Sequence, residues 1–301
     1  MAERQLPENP LELVQFGGLE LIARQLVEGV MMGRHRSPFK GSSVEFVEHR
    51  EYYPGDEIRH IDWRAFGKTG RYYVKEFEDE TNLRAHLLVD ASGSMGYAGR
   101  HISKFRYARL IAASLAWLLL SQRDAVGLTT FDTRTRQTIK ATSNRDTFRR
   151  MVEVLEGTVP GQETSLSSVL ESLLPGIPRR SLIILISDCF DSPQSLLRVL
   201  QRCRHARHEV AILRIAAPEE EEFPFDRPTQ FCSLERAGDQ LLVDPVRLRQ
   251  EYLQQYQQFS ETLQKECGAM GISYRRILTS EPLQTSLGHW LAERMEQRAG
   301  G

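Results

Sequence analysis

The sequence predicts an α/β fold: a doubly wound, mostly parallel sheet, with an N-terminal helix and a small β-containing lobe. Two observations carry this. From residue 84 onward, short apolar runs alternate with stretches of helical periodicity, the pattern of a parallel sheet covered on both faces. Two of those runs, at 83–89 and 181–187, are each followed by an aspartate, Asp90 and Asp188. Parallel strands bring their carboxyl ends to one edge, and ligands of open α/β sheets bind there.

The elements follow in order. Apolar residues at 11–32 are interrupted by Glu12, Glu20, Arg24 and Glu28, which predicts an amphipathic helix. Residues 33–80 break the alternation and read as a lobe, dividing the chain into 1–80 (helix and lobe) and 81–301 (the α/β domain). The run at 83–89 is the first central strand. A helix follows at 102–122, with Lys104, Arg106 and Arg109 early and an apolar second half. Residues 125–131 form the next strand, and 135–142 alternate as an edge strand does.

A helix at 145–155 leads to a turn carrying Thr164 and a short helix ending near Leu174. The most apolar run, 181–187, is a buried strand. Ser192-Pro193 then opens a helix with Pro at its favoured first position. Residues 210–215 make a further central strand, and the acidic run Glu219–Glu222 reads as a solvated loop. Runs at 229–234 and 240–243 flank Gly238-Asp239, an inserted hairpin spanning about 229–244. A helix at 245–266, a strand at 272–278 and a helix at 283–298 close the domain.

Composition narrows the function. Lys plus Arg (39) nearly balance Asp plus Glu (40), so the chain lacks the basic excess that binding to phosphate backbones requires. Nucleic acid is therefore not an expected partner. Cys189, Cys203, Cys232 and Cys267 form no C-x-x-C pair and no metal-ligand spacing, which fits reduced thiols. The first apolar stretch carries charges, unlike a secretory h-region. The longest apolar run, 110–120, is too short to span a bilayer. The expectation is a cytoplasmic location without membrane insertion.

Asp90-Ala91-Ser92-Gly93-Ser94 carries the chemistry. A carboxylate and two hydroxyls occupy alternate positions on a turn leaving a strand. Such hard oxygen donors suit Mg²⁺, or Mn²⁺, which favour oxygen ligands and retain waters. Alone the motif is weak, because Ser and Asp crowd ordinary turns. Thr164 and Asp188, each at the same predicted edge, strengthen it. As bland roles, Thr164 would cap a helix and Asp188 a strand end.

The set Asp90, Ser92, Ser94, Thr164 and Asp188 resembles the metal-ion-dependent adhesion site of von Willebrand factor type A domains. The resemblance implies Ser92 and Ser94 as direct ligands and Thr164 direct or through water. Asp90 and Asp188 would act mostly through water, and one position would stay open for a partner's carboxylate. A second block, Arg50, Tyr52, Gly55, Asp56, Arg59, Ile61, Asp62 and Trp63, resembles the signature of domain of unknown function 58, the MoxR-associated proteins. That family implies a cation-binding interaction domain that partners a MoxR-type AAA+ ATPase, with no established enzymatic activity. Within the block, Pro54-Gly55 fits a type II turn. Interleaved charges at Asp56, Arg59, Asp62 and Arg64 suggest an ion-pair network that pins the lobe, the alternative being a partner-reading surface.

One enzymatic reading competes. Ser92-Gly93-Ser94-Met95-Gly96 approximates the nucleophile elbow of α/β hydrolases, and Ser94, Asp188 and His289 follow the usual order of a triad. Ser92 replaces the first glycine, however, and His289 falls inside a predicted helix. The residues favour a non-catalytic module that binds a protein partner through an acidic side chain.

Overall fold

A computed structural model describes residues 18–32, 44–51, 63, 66–67, 70–79, 83–161, 163, 165–236 and 238–299. The chain divides into two compact units, residues 39–83 and residues 1–38 together with 84–301. In the smaller, β1 (Val44–Glu51) pairs antiparallel with β2 (Tyr73–Asp79), with an irregularity between Phe46 and Glu48. Phe66 stacks on Tyr72 at 4.4 Å, and Trp63 meets both rings edge-on. Trp63 is 59% exposed. Pro54-Gly55 and Asp56, Arg59, Asp62 and Arg64 lie outside the described residues.

The larger unit is built on six strands: β3 (Arg84–Asp90), β4 (Ala125–Phe131), β5 (Thr135–Thr142), β6 (Leu182–Ser187), β7 (Glu209–Ala216) and β10 (Ser273–Leu278). Their order is β10-β7-β6-β3-β4-β5, with only β4 and β5 antiparallel. This is the doubly wound, mostly parallel sheet the sequence predicts. Every residue of β6 is buried, as a strand covered on both faces requires. The chain leaves β3 for β4 on one side and later returns to β6 on the other. Between β3 and β6 the winding reverses, and a crevice opens beyond the strands' carboxyl ends.

Helix α1 (Leu19–Met32) packs on α2 (Lys104–Ser121), which also covers β3 and β4. Ile22, Ala23 and Leu26 are buried, Arg24 lies 4.4 Å over the Trp117 ring, and the Leu19 N–H donates to Glu156 at 3.3 Å. Helix α1 thus packs with the α/β unit rather than with the lobe that follows it. An amphipathic helix declares a buried face but not the surface that covers it, and here α1 joins the α/β unit. Helices α3 (Thr147–Gly157), α4 (Leu166–Leu173) and α5 (Pro193–His205) follow in the expected places.

The acidic run is also corrected: it forms helix α6 (Pro218–Glu222), with Glu219 buried. Pro218 fixes the first turn, and carboxylates are favourable at a helix N-terminus. Glu220 accepts from the Ala217 N–H at 2.8 Å, and Glu219 from the Arg100 N–H at 2.7 Å. Strands β8 (Thr229–Cys232) and β9 (Gln240–Val243) form the inserted hairpin as a separate two-stranded sheet. Helices α7 (Pro245–Ala269) and α8 (Leu283–Ala299) complete the unit. Cys189, Cys203 and Cys267 are free thiols buried in one apolar cluster, and Cys232 is exposed.

Two measurements check this packing. Leu26→Ala should lower the unfolding free energy by about 2–5 kcal/mol, because its cavity lies between α1 and α2; urea titration reads it. Burial, then His208 and Arg84, lowers the pKa of His86 in β3, and burial lowers that of His208. A histidine with a depressed native pKa stabilises above its unfolded value, about 6.5, and that stability is lost as pH falls through the native value. Stability should therefore drop between pH 7.5 and 5.5, and drop less in His86→Gln.

Candidate metal-binding site at the reversal of the sheet

Asp90 ends β3 and Asp188 immediately follows β6, so the parallel pairing of these strands sets both carboxylates at the crevice. Asp90 is wholly buried. Its Oδ1 accepts from the Ser92 N–H at 2.9 Å and its Oδ2 from the Ser187 hydroxyl at 2.6 Å. Ser92 caps the short turn Gly93–Gly96, whose tight backbone returns Ser94 beside it. The two hydroxyl oxygens lie 3.1 Å apart. Two ligands on adjacent positions of a Mg²⁺ octahedron, with bonds of ~2.1 Å, lie about 3 Å apart.

Asp188 is equally buried. Its Oδ1 accepts from the Phe190 N–H at 3.2 Å, and its Oδ2 takes the Lys104 ammonium at 2.8 Å. Between them Cys189 adopts φ 61°, a left-handed conformation costly for a side-chain-bearing residue. Its N–H donates to the Ser187 hydroxyl at 2.8 Å, which helps hold the turn. Arg214, buried in β7, donates to the Asp188 carbonyl at 3.2 Å and lies 5.0 Å over Tyr256 and 4.9 Å over Phe259.

Thr164 lies outside the described residues; its neighbours Glu163 and Ser165 do not. Gly161, three residues earlier in the chain, donates its N–H to the Ala91 carbonyl at 3.0 Å. Asp90, Ser92, Ser94 and Asp188 are thus brought to one edge of the sheet. Among the described residues no three His, Cys, Asp or Glu side chains converge as a metal cluster. A cation held here would depend on the hydroxyls of Ser92 and Ser94.

Charge dominates the site. Burial first, and then Asp188, pushes the Asp90 carboxyl up to about 7, although hydrogen bonds from Ser187 and Ser92 favour its ionised form. Burial alone would lower the Lys104 pKa, but Asp188 and Glu220 (2.5 Å) outweigh it and hold the ammonium above the ordinary lysine value. Glu235 lies on the β8–β9 connection; burial and then Asp188 raise its pKa. A cavity of about 410 Å³ opens beside Ser94 and Glu235, lined mainly by Phe223, Phe225, Phe231, Leu241 and Tyr252.

Sequence reasoning missed Lys104, Ser187, Arg214, Glu220 and Glu235. Arg214 had a signal, an arginine in the middle of an apolar strand. The triad of the hydrolase reading is not assembled. His289 instead shares a hydrogen bond with Arg275 at 3.3 Å, on the edge strand β10, while Ser94 lies beyond β3. Lys104→Met should leave the buried Asp188 and the half-buried Glu220 without their counter-ion. The expected loss is about 3–5 kcal/mol in urea unfolding.

Comparison with known proteins adds relatives. The uncharacterized proteins Rv1480 of Mycobacterium tuberculosis and Mb1516 of Mycobacterium bovis are each 28% identical over 220 residues, 72% of this chain and 69% of theirs. Among solved structures, the conserved hypothetical protein BatB from Bacteroides thetaiotaomicron is 17% identical. It covers 71% of this chain and 99% of its own, with a TM-score of 0.46. An aerotolerance-related membrane protein from Bacteroides fragilis is 18% identical, covering 70% and 99% with a TM-score of 0.45. The SpRpn10 VWA domain is 11% identical, covering 69% and 94% with a TM-score of 0.39.

The expected cytoplasmic location is corrected by these comparisons, because the Bacteroides fragilis protein is described as a membrane protein. Among the described residues no helix is long and apolar enough to cross a membrane, but attachment to a membrane surface needs none. The family match spans residues 48–262 and includes β3, β6 and the hairpin: the chain belongs to the family described as protein of unknown function DUF58.

Proposed function

We propose that this chain is a non-catalytic protein-interaction module that binds Mg²⁺ or Mn²⁺ and uses it to take a carboxylate from a partner. The supporting observation is the Ser92–Ser94 hydroxyl pair, 3.1 Å apart, backed by buried Asp90 at the reversal of the sheet. Ser92 and Ser94 would be the direct protein ligands, with Thr164 a ligand directly or through water. Asp90 would hold Ser92 in place and, with Asp188, orient bound waters. When bound, the ion supplies an electrophilic position that a partner carboxylate can fill.

Lys104 tunes that position. Its ammonium takes up part of the negative charge of Asp188 and weakens that carboxylate as a donor. A site poor in direct negative ligands keeps its appetite for an incoming carboxylate. The resemblance of the block at 50–63 to MoxR-associated proteins makes a MoxR-type AAA+ ATPase the proposed partner, binding through an exposed Asp or Glu. A ring of such subunits would add avidity to a single weak contact.

Thermal unfolding tests the metal. At a hundredfold excess over its dissociation constant, Mg²⁺ should add about 2.7 kcal/mol, because it binds only the native state. Asp90→Ala and Ser94→Ala should lose that increment while keeping the circular dichroism of the native fold. An equal Mg²⁺ shift in both variants would refute the assignment.

A further inference from the structure

The inserted hairpin reaches the same site from above. A Cβ at Gly93 would lie 2.1 Å from the Leu234 carbonyl oxygen and 3.0 Å from the Glu235 Cα. Only glycine at 93 lets the hairpin backbone come down on the turn between the two serine ligands. That approach brings Glu235 to the rim of the cavity that Ser94 also lines. The next residue, Arg236, pairs with Glu163, beside Thr164.

From this contact we propose that Glu235 is an internal ligand. It fills, from within the chain, the coordination position that a partner carboxylate would take, so the hairpin must lift before the partner binds. The inference rests on the metal reading above. It adds the residue that competes for the open position.

The hairpin is built to move. Its two strands share no hydrogen-bonded ladder with the six-stranded sheet, and an isolated two-stranded hairpin is marginal by itself. Its base is fixed, because Phe231 stacks on Phe223 at 6.0 Å and meets Phe225 edge-on at 5.2 Å. Its outer end covers the 410 Å³ cavity rather than a packed core, and Leu241 and Leu242 are 64% and 73% exposed. Both members of the Arg236–Glu163 pair are exposed, and such pairs contribute little. Lifting exchanges one carboxylate for another, so the charge at the ion does not change.

Mn²⁺ titrations of the full chain, read by water-proton relaxation, test the proposal, with acetate as the carboxylate probe. The wild type should bind Mn²⁺, and acetate should not alter the hydration of the bound ion. Glu235→Gln should weaken Mn²⁺ binding by about tenfold or more. Each bound ion should gain a water that acetate then displaces. Gly93→Ala keeps every ligand but forces the hairpin off the turn, so it should show the same extra water. If the wild type binds Mn²⁺ and either variant matches its hydration, Glu235 is not the ligand, and the metal site stands without it. If the wild type binds no Mn²⁺, both readings fall.

Discussion

The parallel pairing of β3 with β6 is the constraint on which the rest of the molecule depends. It runs from Ala85 opposite Leu182 to Val89 opposite Ile186. Both strands are buried on both faces, so a slip of one residue would turn every side chain toward the wrong layer. The register is therefore set by packing alone, and it fixes the Ser187 hydroxyl against the Asp90 carboxylate. The polar groups lie where the ladder ends, so the apolar core positions them without containing them.

The strands were legible in the sequence because burial on both faces writes itself as an unbroken apolar run. Asp90 and Asp188 were legible because each stands directly after such a run. Lys104 was not. A lysine in the first turn of a helix reads as a solvated charge, and its partners lie 84 and 116 residues away. The acidic run at 219–222 misled for the same reason: its charge suggested solvent, yet Glu219 is buried and Glu220 pairs with the buried Lys104 of α2. Helix α1 was visible as a helix, but its amphipathic pattern carried no information about which unit would cover it. Glu235 stands in an ordinary polar turn, and only the chain folding back over Gly93 gives it a role.

The site gathers what a folding protein ordinarily avoids. Asp90, Asp188 and Lys104 are all shielded from water, and Cys189 holds a backbone conformation that only glycine adopts freely. Local rules are broken together here, the pattern expected where function rather than stability selects the residues. Replacing the buried ions by apolar side chains of similar volume is often neutral or stabilising in proteins. Stability of the fold alone therefore does not require them at the sheet reversal.

Because the β8–β9 hairpin has its own small ladder, its sequence is free of the sheet's register. Residues can be added to it, removed or exchanged without shifting any of the six core strands. Recognition can then diversify at the rim while the polar floor of the crevice stays unchanged, as variable loops do on a fixed framework. Grafting a foreign hairpin between Phe225 and Asp244 becomes a route to retarget the module with the strands left untouched.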